Sequence, residues 1–146
     1  MPRKIVLRFE RGSELTAELM LDAAPKTVEG FLELLPLEVT VYHTRYCGRE
    51  FYFPMKTKRN IPREKQTSTC NMGDVVYWKE WEMDPSEAAE AIGIYYGAAV
   101  LRDHRGYLPV NPFARISQDQ WKTIEEIGLR IWQQGTEKLT IDVLKE

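Results

Sequence analysis

Apolar residues along this chain recur mostly with period two, in short runs broken by glycine, proline and polar clusters, and only two long stretches carry a helical period. Ile5-Val6-Leu7-Arg8-Phe9 alternates, Gly12-Ser13 interrupts, and Leu15, Ala17, Leu19 and Leu21 share one parity, which predicts a hairpin. Asp22-Ala23-Ala24-Pro25 then opens a helix, because proline at the first helical position forfeits an N–H that would be unpaired there anyway. Val28, Phe31, Leu32 and Leu35 form its buried stripe, and Pro36 ends it. Val39–His43, Glu50–Phe53, Gly73–Trp78, Ile94–Tyr96, Phe113–Ile116 and Lys138–Val143 read as further strands. Residues 54–72 and 97–112 have loop composition, and Asp84-Pro85-Ser86-Glu87 has the form of a short helix start. Ser117 and Gln120 suggest a capping box for a helix over 118–133, with Trp121, Ile124, Ile127 and Ile131 on its inner face and Gly135 as its stop. About eight short strands and two sizeable helices predict a mainly antiparallel barrel or sandwich capped by helices.

The length of 146 residues argues for one domain spanning the whole chain, 1–146. Such a domain buries about 70% of its unfolded surface and needs no disulfide or metal staple. Twenty basic side chains against twenty-two acidic ones leave a net charge of −2, which argues against bulk binding to nucleic acid or to anionic membranes. No apolar run has the length of a membrane span, and no apolar segment follows Met1-Pro2-Arg3-Lys4. Two cysteines without a secretion signal read as free thiols, so a cytoplasmic location is expected.

The stretch Asp22-Ala23-Ala24-Pro25-Lys26-Thr27-Val28-Glu29-Gly30-Phe31 resembles the first helix of cyclophilins, where the pattern is D-x-x-P-K-T-x-x-N-F; Gly30 stands in place of the asparagine. Phe113-Ala114-Arg115-Ile116 and the helix carrying Ile124-Glu125 are similar to the strand and second helix near the cyclophilin C-terminus. The middle of the chain resembles a narrower group, the small uncharacterised cyclophilin-like proteins of bacteria and archaea. The matching stretches are His43-Thr44-Arg45-Tyr46-Cys47-Gly48-Arg49-Glu50, Gly73-Asp74-Val75-Val76-Tyr77 and Asn111-Pro112-Phe113-Ala114-Arg115-Ile116. The resemblance implies a mainly β fold, a cyclophilin-like closed antiparallel barrel of about eight strands capped by two α-helices. It imports no activity, since fold and function are separate arguments. Where cyclophilins have F-H-R, this chain has Tyr42-His43-Thr44-Arg45, with the arginine one position late, and no Q-G-G-D turn follows. A one-residue shift on a strand reverses the face of a side chain.

His43 and Arg45 share parity with Val39 and Val41, so on an unbroken strand they share a face. With the valines inward, both reach a polar barrel mouth together with Tyr95 or Tyr96; with Thr40 and Tyr42 inward, both are solvated instead. Glu50, Tyr52 and Asp74 complete the candidate ligand-binding set, one of the two carboxylates compensating Arg45. His43, Cys47, Cys70 and His104 are the whole histidine and cysteine supply, and their spacing fits no zinc pattern. There is no phosphate loop, no G-x-G-x-x-G and no G-x-S-x-G, so neither metal nor cofactor is expected and catalytic residues remain unassigned.

Segment 54–69 carries Lys56, Lys58, Arg59, Arg63 and Lys65 against Glu64, while 79–90 carries Glu80, Glu82, Asp84, Glu87 and Glu90 against Lys79. They are two solvated loops, or they attract one another across a barrel end or between subunits of a homo-oligomer. The leading functional expectation is a small-molecule or peptide ligand, anionic if Arg45 anchors it, held at the barrel mouth, with enzymatic activity left open. The alternatives are a prolyl cis–trans isomerase, which needs no acid, base or cofactor, and an interaction or oligomeric scaffold built on the charged loops.

Overall fold

The structure, a computed structural model, describes residues 1–145. In chain order its elements are β1 (Lys4–Phe9), β2 (Glu14–Leu19), α1 (Pro25–Leu32), β3 (Leu37–His43), β4 (Glu50–Pro54) and β5 (Thr69–Cys70). Then come β6 (Asp74–Lys79), β7 (Glu90–Tyr95), β8 (Ala99–Val100), β9 (Arg102–Asp103), β10 (Gly106–Tyr107) and β11 (Asn111–Arg115). A 3-10 turn (Gln118–Gln120), α2 (Trp121–Gln134) and β12 (Glu137–Val143) end the series. Eight strands close an antiparallel barrel in the order β1-β12-β3-β4-β7-β6-β11-β2. Of the two architectures that the strand pattern allows, closure selects the barrel, which leaves no free sheet edge.

The barrel is filled by the inward parity of each strand, with Leu7, Leu15, Phe51, Phe53, Val75, Tyr77, Ile92 and Ile94 all buried. Helix α1 lies against β11 and sends Val28 and Phe31 into this core, where the Phe31 and Phe113 rings meet at 5.2 Å. Helix α2 lies against β3 and β4 and contributes Ile124, Ile127 and Ile131. Trp121 departs from the expected stripe: it is only partly buried, and its indole N–H donates to the Ile116 carbonyl at 3.2 Å.

The capping box is absent for a specific reason. Gln120 hydrogen-bonds along the β2 backbone, accepting from Thr16 N at 2.8 Å and donating to Thr16 O at 3.0 Å, while Ser117 Oγ donates to Asp119. The first helix is also capped from outside: Glu64 accepts from the backbone N–H groups of Lys26 and Thr27 at 3.1 and 2.7 Å, satisfying two orphan donors of α1. Asn111 holds the same loop by accepting from Glu64 N and donating to Pro62 O. The short helix suggested at Asp84 does not form. Asp84 instead caps a single turn through Ser86, and β7 already begins at Glu90, leaving no length for a helix.

The two charged segments meet. Arg63 pairs with Glu82 at 3.1 Å and Lys56 with Glu90 at 3.2 Å, while Arg59 turns away to Glu29 and Glu33 of the α1 region. Glu90 is buried beneath this contact, where it also accepts from Tyr77 Oη at 2.6 Å and Thr57 Oγ1 at 2.5 Å. A buried carboxylate with three partners anchors the basic loop firmly.

Candidate functional site

Alternation along three neighbouring strands builds two apolar faces rather than one. Phe51 and Phe53 of β4, Ile92 and Ile94 of β7, and Val75 and Tyr77 of β6 point into the barrel. The opposite parity sends Glu50 and Tyr52, Ala91, Gly93 and Tyr95, and Val76 and Trp78 to the outer wall. An apolar outer wall left bare would be an association hazard. Here the 97–110 segment folds over it: Leu101 N donates to Ser68 O at 2.8 Å, Thr67 and Val110 exchange backbone hydrogen bonds, and β8 pairs with β5. Cys47, Cys70, Val76, Tyr95, Leu101 and Val110 thereby form a second buried cluster outside the barrel. Between wall and cover lies a cavity of about 340 Å³.

Its floor is polar. Glu50 is 8% exposed and lies over Gly93, where a Cβ would overlap its Oε2. Among the described residues no basic side chain comes within 4.0 Å of it. Burial raises its pKa from 4.5 to about 8, against a smaller opposing pull from the neighbouring Tyr95 hydroxyl and Cys47 thiol. The Tyr95 hydroxyl is buried beside the Glu50 carboxyl, close enough to act on it but without a hydrogen bond of good geometry. Burial, with the Glu50 charge second, drives the ionisation of Tyr95 far above its ordinary range. The Cys47 thiol is raised to about 11 by the same two causes and donates to the Arg102 carbonyl at 3.2 Å, which makes it a structural tie rather than a nucleophile. At neutral pH the floor is therefore a largely neutral acid, a phenol and a thiol.

The rim has the opposite character. Arg45 is exposed, rests 5.9 Å from the Tyr46 ring centre and enters no ion pair among the described residues. The Arg102 guanidinium is likewise unpaired there, whereas Asp103 is taken by Arg105 at 2.7 Å. His104 stands over Tyr46 at 6.3 Å. A neutral, mostly apolar interior thus opens past two uncommitted cations.

Of the seven residues expected from sequence, Arg45, Glu50, Tyr52 and Tyr95 line this cavity, and His43, Asp74 and Tyr96 do not. The shared face of His43 and Arg45 fails because β3 ends at His43 and the chain turns through 44–49, with Gly48 at φ +67°. Val39, Val41 and His43 keep the inward parity; His43 Nε2 meets Tyr96 Oη at 2.6 Å and its ring lies 4.9 Å from Trp132 of α2. Tyr96 packs against Gly128, where any Cβ would collide with its ring. Asp74 compensates Arg115 at 2.9 Å, not Arg45. The cavity accordingly sits on the outer wall and not at a barrel mouth. Sequence reasoning passed over Gly93, Trp78, Leu101 and Leu108. The usable signal was Val75-Val76-Tyr77-Trp78, apolar on both parities, which marks a strand covered on both faces.

No group of three or more histidine, cysteine, aspartate or glutamate side chains gathers as a metal site among the described residues, and no helix there is long and apolar enough to cross a membrane.

A closed eight-stranded antiparallel barrel with two helices defines a cyclophilin-like fold. Residues 8–143 match the family described as "Protein of unknown function (DUF3830)", and the chain belongs to that family. Among solved structures, the chain is similar to McbB in complex with tryptophan, with a TM-score of 0.71 at 16% identity over 97% of this chain and 45% of that one. It therefore spans less than half of the McbB chain. A hypothetical protein from Archaeoglobus fulgidus has a TM-score of 0.60 at 21% identity, covering 98% of this chain and 95% of that one. A Cryptosporidium parvum cyclophilin-type peptidyl-prolyl cis-trans isomerase, determined in the presence of the dipeptide Ala-Pro, has a TM-score of 0.60 at 11% identity, covering 98% and 99%. No curated protein matches the sequence.

Proposed function

We propose that this protein binds a small molecule with an apolar, ring-sized body in the outer-wall cavity, its anionic group reaching Arg45 and Arg102 at the rim. The observation that carries the reading is the cavity itself: about 340 Å³, lined by Tyr52, Val76, Trp78, Leu101, Leu108 and Val110, together with Arg45 and Arg102, which are exposed and enter no ion pair among the described residues. Pockets of this size and mixture are the usual sites of small ligands, and a guanidinium offers a carboxylate two parallel hydrogen bonds. The similarity to a barrel seen with tryptophan, an aromatic carboxylate, fits this chemistry.

A thermal-shift panel of aromatic carboxylates (tryptophan, indole-3-propionate, 4-hydroxyphenylacetate) tests the reading. A binder held at about 100 times its Kd stabilises the fold by about 2.7 kcal/mol, a readily measured shift. Arg45→Ala combined with Arg102→Ala should weaken any hit at least about tenfold, the loss of roughly 1.4 kcal/mol from one charged contact. A panel without a hit, or hits indifferent to both arginines, would defeat the proposal.

A further inference from the structure

Glu50 is out of place in an ordinary pocket. It is almost fully buried, it occupies the floor of an apolar cavity, and no cation among the described residues stands within 4.0 Å. The fold contrasts it with its other buried carboxylates, each of which has a basic partner: Asp74 with Arg115, Glu90 with Lys56, and Glu137 with Arg130 and Arg11. Burying a carboxyl without countercharge costs stability, so packing alone does not account for a glutamate at this position. Gly93 is part of the arrangement, because any side chain there would push the carboxyl out of its seat. Beside it the Tyr95 hydroxyl is buried without a well-formed hydrogen bond, and Tyr52 and Trp78 supply aromatic wall.

Resting on the ligand pocket proposed above, we propose that the floor is an amine site: a basic nitrogen on the ligand supplies the countercharge that Glu50 lacks. The ammonium N–H groups donate to the Glu50 carboxylate and to Tyr95 Oη, and the aromatic walls face the cation. With the anionic group at the rim arginines, the ligand class becomes an amine or amino acid with a ring-bearing body, lying with its nitrogen inward. The binding step conserves charge in a specific way. Free Glu50 holds its proton at pH 7, and the ammonium displaces that proton to solvent as the ion pair forms.

The test uses four matched indoles, namely tryptamine, tryptophan, indole-3-propionate and indole, titrated by calorimetry at pH 7 in phosphate and in Tris, whose ionisation heats differ. Tryptophan should bind at least about tenfold tighter than indole-3-propionate, which lacks only the amine; that factor is about 1.4 kcal/mol. Tryptophan and tryptamine should each release close to one proton, and indole-3-propionate none. Glu50→Gln, isosteric with the neutral acid, should erase both the preference and the proton release while leaving indole-3-propionate bound. Tyr95→Phe should weaken the amines and spare indole-3-propionate. If indole-3-propionate binds as tightly as tryptophan, or if the preference survives Glu50→Gln, the amine site is refuted while the pocket stands. If none of the four binds, the pocket reading and the amine site fall together.

Discussion

Glu50→Gln is the perturbation whose outcome the structure specifies most fully. In the unfolded chain this carboxyl ionises near 4.5, and in the folded protein near 8. Between those values the folded state holds a proton that the unfolded state has lost, so stability falls as pH rises through the window. Each pH unit is worth about 1.4 kcal/mol, which sets a ceiling of about 5 kcal/mol on the penalty above pH 8. Water entering the cavity from the rim solvates the ionised form, so about 2–4 kcal/mol is the expected share. Glutamine keeps the shape of the neutral acid and cannot ionise. Urea unfolding of both proteins at about pH 5, 7 and 8.5 should therefore show near-equal stability at the acid end and a growing advantage for Glu50→Gln toward the alkaline end. The other carboxylates give their own slopes, but these are common to both proteins and cancel in the difference. Parallel stability profiles would refute the claim that Glu50 is buried without countercharge.

Phe31→Ala should cost about 3–5 kcal/mol in unfolding free energy, because Phe31 is fully buried against Phe113, whereas Trp121→Ala should cost visibly less because that ring is partly exposed. Tyr77→Phe leaves buried Glu90 short of one donor and should lower stability by about 1–3 kcal/mol by the same measurement. Gly93→Ala should lower the melting temperature through overpacking against Glu50, at about 1–3 kcal/mol, and should also weaken ligand binding. In a chymotrypsin-coupled assay on proline peptides the protein should fall below about a hundredth of a typical cyclophilin rate, since Arg45 lies beyond the end of β3; this deficit corresponds to about 2.7 kcal/mol of barrier. A robust rate lost in Arg45→Ala would revive the isomerase alternative.

The barrel was legible because its evidence is local. Period-two runs such as Ile5–Phe9 and the stripe Val28-Phe31 report directly on which side of an element is dry. The site was half legible. Glu50, Tyr52 and Tyr95 could be named, but their common wall depends on β4 pairing with β7, a long-range register that no local pattern encodes. Arg45 lines the cavity for a reason other than parity with His43, because β3 ends two residues before it. Gly93 illustrates the hardest case, since nothing local marks it, and only the neighbouring strand shows that its missing side chain makes room for a carboxyl. The capping box failed similarly, because Gln120 found backbone partners on β2, more than a hundred positions away in the chain.

The most direct measurement is a nitrogen–proton NMR titration with the tightest aromatic carboxylate of the panel, read residue by residue. Ligand in the outer-wall cavity should concentrate the shifts at Gly93, Tyr95, Leu101 and Val110, on the outer wall and its cover, and leave Leu7 and Leu15 inside the barrel unmoved. Shifts confined to other surfaces, or none at saturating ligand, would contradict the outer-wall site.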